Sequence, residues 1–270
     1  MAKKNDLLVK QEAALATMDF GEHKGKGMEN VTSADISIPF LGIVQKLSPQ
    51  LDKTHEKYIE GATEGDLFNS VTNQLLGTKV YFVPCCKDNQ YVEWTPRDKG
   101  GGLVGMHVPG SEFVRDVKSR ATDQFKLKTD EGNDLIETYY VYGMLIDGAD
   151  GKTVETPIVI SFSSSKIKVY RSQLMTPLRT IKGDPPMYAF RFVITTVDAK
   201  NKAGQPYKNL KIEPANGAMA ASANLPGTDF EGLLTEGKML VEAVHGGTAK
   251  AAVESQTDQG GEKTDGDEPF

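Results

Sequence analysis

Between Asp35 and Gly247 the apolar residues recur in short runs that alternate with polar ones, the period of half-buried strands. Thr78 to Pro84 and Gln90 to Pro96 are rich in Val and aromatics, and the polar Lys87-Asp88-Asn89 between them predicts a hairpin. A second hairpin is predicted from Phe125 to Lys128 and Leu135 to Ile146, across Thr129-Asp130-Glu131-Gly132-Asn133. A third joins Met187 to Val197 with Lys208 to Ile212 across a polar loop ending at Gly204. Thr156 to Phe162 and Ile36 to Leu47 supply further strands.

A period near 3.6 interrupts this pattern in three places. Ser111 to Ala121 is a short mixed helix, and Ser163 to Ile181 opens on a run of serines suited to capping. In the second, Ile167, Tyr170, Leu174, Leu178 and Ile181 share one face, and Pro177 is expected to split the helix. The third starts at the capping box Thr228-Asp229-Phe230-Glu231 and stops at Gly246-Gly247. The predicted class is mainly β with inserted helices (α+β), built as an antiparallel barrel or sandwich. Residues 1–34, with a short helix from Asp6 to Met18 and a Gly- and Lys-rich loop, form an N-terminal extension. Residues 35–247 form the folded body, and residues 248–270 an acidic tail too poor in apolar side chains to order itself.

Composition excludes several classes. The 270 residues hold 31 Lys and Arg against 37 Asp and Glu, with no apolar run near the length of a membrane span and no secretory leader pattern. The two cysteines are adjacent, Cys85-Cys86, which suits a reducing cytoplasm, and the four histidines lack metal-ligand spacing. No cofactor, metal or membrane partner is expected, and no nucleophile motif marks an enzyme. The net charge of -6 is uneven: from Glu254 to Phe270 six acids face one base.

The body has its own charge asymmetry. Thr156 to Val197 contains Lys166, Lys168, Arg171, Arg179, Lys182 and Arg191 against Asp184 alone. Helical spacing puts Lys168, Arg171, Ser172, Met175, Arg179 and Lys182 on one side, a line of cations suited to tracking phosphates. Tyr140 and Tyr142 on a neighbouring strand, and Tyr170 on the helix itself, are candidates for stacking on bases. Trp94, Arg97 and Lys99 precede Gly100-Gly101-Gly102, a basic and aromatic loop able to clamp a strand.

The chain closes on Asp265-Gly266-Asp267-Glu268-Pro269-Phe270. Acids followed by Pro-Phe resemble the tip of bacterial single-stranded DNA-binding proteins and the acidic tails of their phage counterparts. Strings such as Ile38-Pro39-Phe40-Leu41-Gly42 and Tyr91-Val92-Glu93-Trp94 are similar to phage proteins of this replication class. The resemblance implies an oligonucleotide-binding (OB-fold-like) antiparallel barrel that holds single-stranded DNA without sequence preference. It also implies that Phe270, with Asp265, Asp267, Glu268 and Pro269, recruits replication or recombination proteins and competes with DNA. The expected setting is the cytoplasm of a phage host, with a homodimer as one assembly. Two rival readings fit the same residues: a strand-annealing recombination protein, and a replisome adaptor or inhibitor that never touches nucleic acid.

Overall fold

The computed structural model describes residues 37–123, 126–146, 154–201, 204–215 and 230–252. The predicted Asp6–Met18 helix, the capping residues Thr228 and Asp229, and the acidic tail from residue 253 onward lie outside the described residues; residues 248–252, expected in the tail, are described, and Lys250 and Ala251 pair in parallel with Ser37 and Ile38.

The largest sheet is organised by two long strands, β5 (Lys79–Trp94) and β8 (Asp134–Ile146), which run antiparallel from Tyr81 opposite Ile146 to Trp94 opposite Asp134. The earlier strands are β1 (Ser37–Ile38), β2 (Leu41–Ile43), β3 (Leu67–Asn69) and β4 (Leu75–Gly77), of which the last three form a separate antiparallel sheet. Between β5 and β8 lie β6 (Leu103–His107), helix α1 (Glu112–Arg120) and β7 (Leu127–Lys128). After them come β9 (Val154–Ser163), an irregular helix over residues 166–179 (α2), β10 (Phe192–Lys200), β11 (Pro206–Pro214), α3 (Phe230–His245) and β12 (Lys250–Ala251).

Each half of the β5–β8 pair recruits its own neighbours. The first half of β5 pairs with β10, which pairs with β11, while the matching half of β8 pairs with β9. The second half of β5 pairs with β6, and the start of β8 with β7. Among the described residues no ladder joins β9 to β11, and no closed barrel is found.

The predicted hairpin at Lys87-Asp88-Asn89 is replaced by one continuous strand. β8 runs beside all three, placing Val141, Tyr140 and Tyr139 opposite them, and none of the three takes the positive φ of a tight hairpin turn. The irregularity sits instead at Pro84, where the register shifts before Cys86. Proline has no N–H for a ladder, so a central strand holds it at a bulge. Gly143 lies opposite Pro84, and a Cβ there would collide with both the Phe82 ring and the Val83 carbonyl. The other two predicted hairpins form as β7–β8 and β10–β11. The third starts late, because Pro185 and Pro186 lead into a 3-10 turn at Met187–Ala189 and pairing begins at Phe192.

Both faces of the sheet are covered. On one, α2 buries Val169, Tyr170 and Leu174 against Phe82, Val141, Phe162 and Phe192, and farther along α1 buries Val114 and Val117 against Tyr91 and Leu135. On the other, Leu233 and Leu240 of α3 pack with Val83, Cys85, Trp94, Tyr140 and Tyr142. Ser111 caps α1, its Oγ accepting from the Val114 amide at 3.3 Å.

Candidate nucleic-acid interface

Helix α2 follows β9 almost at once and lies over the sheet because its apolar face matches the core beneath it. Its middle turn, Tyr170–Met175, is π-helical, with the Thr176 amide donating to the Arg171 carbonyl five residues back. The Thr176 hydroxyl donates to the same oxygen at 2.7 Å. Pro177 has no amide to give, so the chain loosens its hydrogen-bond step ahead of the proline instead of breaking there. Met175, predicted on the cationic side, is partly buried against the core, and Thr176 beside it is exposed.

The outward side of α2 and its continuation carries Lys168, Arg171, Arg179 and Lys182, all exposed. From Ser163 to Gly183 there are five bases and no acid. Lys168 to Arg179 spans eleven residues, about 16 Å of helix. Lys166 does not share this side, being only 9% exposed.

Below the helix, Tyr139 of β8 stacks on Tyr170 with ring centroids 4.5 Å apart. The Arg171 guanidinium lies 5.8 Å from the Tyr139 ring centroid and donates to its phenol oxygen at 3.4 Å, with Glu137 at 3.8 Å. The Tyr139 hydroxyl donates to Glu137 at 3.0 Å. Burial first, then the neighbouring Tyr139, push the Tyr170 phenol up to about 12, against an opposing pull from Arg171 and Arg179. The hydrogen bond to Tyr139 raises the Arg171 guanidinium above its ordinary value. At the far end of the helix, Met175, Leu178, Arg179, Ile181, Asp184 and Met187 line a shallow groove of about 210 Å³.

Several predicted contacts are placed elsewhere. Trp94 and Tyr140 are 1% exposed, Tyr170 4% and Tyr142 8%, so none offers a free ring face in this structure. The alternation along Tyr139-Tyr140-Val141-Tyr142 holds, but α3 covers the face carrying Tyr140 and Tyr142. Tyr139, on the other face and partly buried, is the aromatic that meets the helix cations. Nothing in the local pattern distinguishes the two faces, since both bear tyrosines.

Arg191 also leaves the group. Its guanidinium lies 5.3 Å from the ring centroid of Tyr81, a residue that packs with the α3 side of the sheet. Arg97 and Lys99 form an exposed 3-10 turn beyond the end of β5. Gly100, Gly101 and Gly102 all have positive φ, and the first two amides donate to Arg97 and Pro96 carbonyls. Those two N–H groups close their own turn. Asp265, Asp267, Glu268, Pro269 and Phe270 lie outside the described residues.

Among the described residues no helix is long and apolar enough to cross a membrane. A model of the family described as Pam3 phage gp34-like protein matches residues 7–250, ending before the acids that begin at Glu254. No curated protein and no solved structure matches the chain.

Proposed function

The chain belongs to the family of Pam3 phage gp34-like proteins, and from that premise we propose that it is a non-catalytic, sequence-independent single-stranded DNA-binding protein of phage replication, recombination or repair. The observation that carries the reading is the acid-free run from Ser163 to Gly183, with Lys168, Arg171, Arg179 and Lys182 exposed beside Tyr139. Cations spaced along one element meet successive phosphates, and an aromatic next to them stacks on any base. The large antiparallel sheet is the counterpart of an oligonucleotide-binding barrel, with α2 laid across one face. The acidic tail ending at Phe270 competes for the cationic side of α2 and hands the protein to replication partners in the host cytoplasm.

The test is fluorescence anisotropy with labelled oligo-dT and a matching duplex at low salt, for the full chain and for a chain stopped before Glu254. Preference for the single strand, tighter in the shortened chain, is the expected result. No binding by either chain removes the nucleic-acid reading and leaves a protein adaptor. Rings or filaments on DNA reassign the protein to strand annealing.

A further inference from the structure

Strand β6 is paired with β5 along one edge, and among the described residues no strand pairs with its other edge. Its side chains are unusually apolar for such a position. Val104, Met106 and Val108 are 51%, 52% and 63% exposed, with Leu103 and Phe113 also open to solvent. From Leu103 to Ser111 there is no Lys, Arg, Asp or Glu, and His107 is turned to Glu93 at 2.9 Å. Free edges are normally guarded by charge, proline or a cover, because bare ones pair with other strands. Proline appears here only at Pro109, past the strand.

We propose that β6 is the contact between two copies of this chain, paired antiparallel about a two-fold axis at Met106. The side-chain pattern selects that register. With the axis at Met106, Val104 faces the partner's Val108 and Met106 faces the partner's Met106, so each exposed apolar residue of that alternating row meets another. The small Gly105 then falls opposite the partner's His107. Moving the axis to Gly105 sets Val108 against the partner's Gly102 and breaks the match. Cross-strand apolar pairs are the unit of sheet stabilisation, and a self-matching row is what an isologous interface requires. Val104 is the extra residue at the β5–β6 register shift, which makes the outer pairs the more pliant ones.

Charge agrees with the arrangement. The uncharged row puts no like charges opposite one another, and the end bearing Arg97 and Lys99 comes beside the end bearing the partner's Glu112. Five residues span roughly 17 Å of strand. That is the small end of specific interfaces, so the dimer falls apart on dilution.

Sedimentation equilibrium of the full chain over a wide concentration range tests this. The expected result is a reversible shift from one chain mass to two, abolished by Met106→Lys, an exposed position where a lysine leaves the fold intact. Met106→Cys supplies the register: only an axis at residue 106 brings two such thiols together for oxidation to a disulfide. The native Cys85 and Cys86 are buried and stay out of the reaction. A chain at monomer mass throughout overturns the proposal, whether residues 1–36 or an unrelated protein then covers the edge. So does a dimer indifferent to Met106→Lys, or a Met106→Cys dimer that oxidises without linking the two copies.

Discussion

Lys168, Arg171, Arg179 and Lys182 make a quantitative prediction about salt. Each phosphate neutralised on a single strand contributes about -0.7 to the slope of log affinity against log salt, so four give at most roughly -2.8. A fourfold rise in salt then costs up to about 50-fold in affinity from these side chains alone. Replacing Lys168, Arg179 or Lys182 by Ala flattens the slope by about 0.7 each. Arg171 behaves differently, because Glu137 already lies 3.8 Å from its guanidinium. An arginine with a carboxylate beside it has fewer counterions to release, so Arg171→Ala flattens the slope less than Arg179→Ala does. Glu137→Gln, by freeing that guanidinium, steepens it. The assay is oligo-dT anisotropy at five or more salt concentrations, after circular dichroism has shown that each variant is folded. A Lys168→Ala/Arg179→Ala/Lys182→Ala protein with an unchanged slope refutes the assignment of α2 as the phosphate track.

The other predictions concern the aromatics, the bulge and alkaline pH. Tyr139→Ala weakens oligonucleotide binding by about 1–3 kcal/mol, whereas Tyr142→Phe and Trp94→Phe leave it unchanged because those rings are buried; titration of the three variants separates them. Gly143→Ala destabilises by roughly 1–3 kcal/mol in denaturant melts, since its Cβ meets both the Phe82 ring and the Val83 carbonyl. Adding Phe82→Leu recovers only part of the loss, the carbonyl contact being backbone. Burial, then Asp88, push the Cys86 thiol up to about 11, and burial pushes Tyr142 and Tyr170 up to about 12. These acids ionise more readily in the unfolded chain, so stability is whole below their ordinary values and falls as pH rises from about 9 toward 12. Melting temperatures that stay level across that window contradict the burial of these groups.

Strand patterning located β8, β9, β10 and β11, and helical spacing the anchoring face of α2, although β8 is buried on both faces from Tyr140 to Ile146 and shows a continuous apolar run there rather than an alternation. Strand patterning misread Lys87-Asp88-Asn89, where three polar residues resemble a turn. What keeps them extended is β8, supplied by a segment some fifty residues further along the chain. The same limit applies to the site. Helical spacing found Lys168, Arg171, Arg179 and Lys182, but whether Tyr139 or Tyr140 faces them depends on which side of the sheet receives α3. Lys166 looks like its neighbours in sequence and is buried by the packing of α2, which no local pattern reports. Met175, which helical spacing places with the cations, packs partly against the core beside a π-helical turn, a local departure that an ideal period of 3.6 does not contain.

The two long strands also govern how the molecule comes together and comes apart. β10, β11 and β9 hang from one half of the β5–β8 pair, β6 and β7 from the other, and both halves are cut from the same two strands. Neither half can melt without leaving the other with frayed strand ends, so unfolding is expected to be a single cooperative event. The partners Tyr81 and Ile146, and Trp94 and Asp134, are far apart along the chain, which makes this pairing slow to nucleate. A fragment ending in the α1 region would hold β5 and β6 without β8, leaving the large sheet without one of its two central strands, so the protein is divisible in sequence but indivisible as a folding unit.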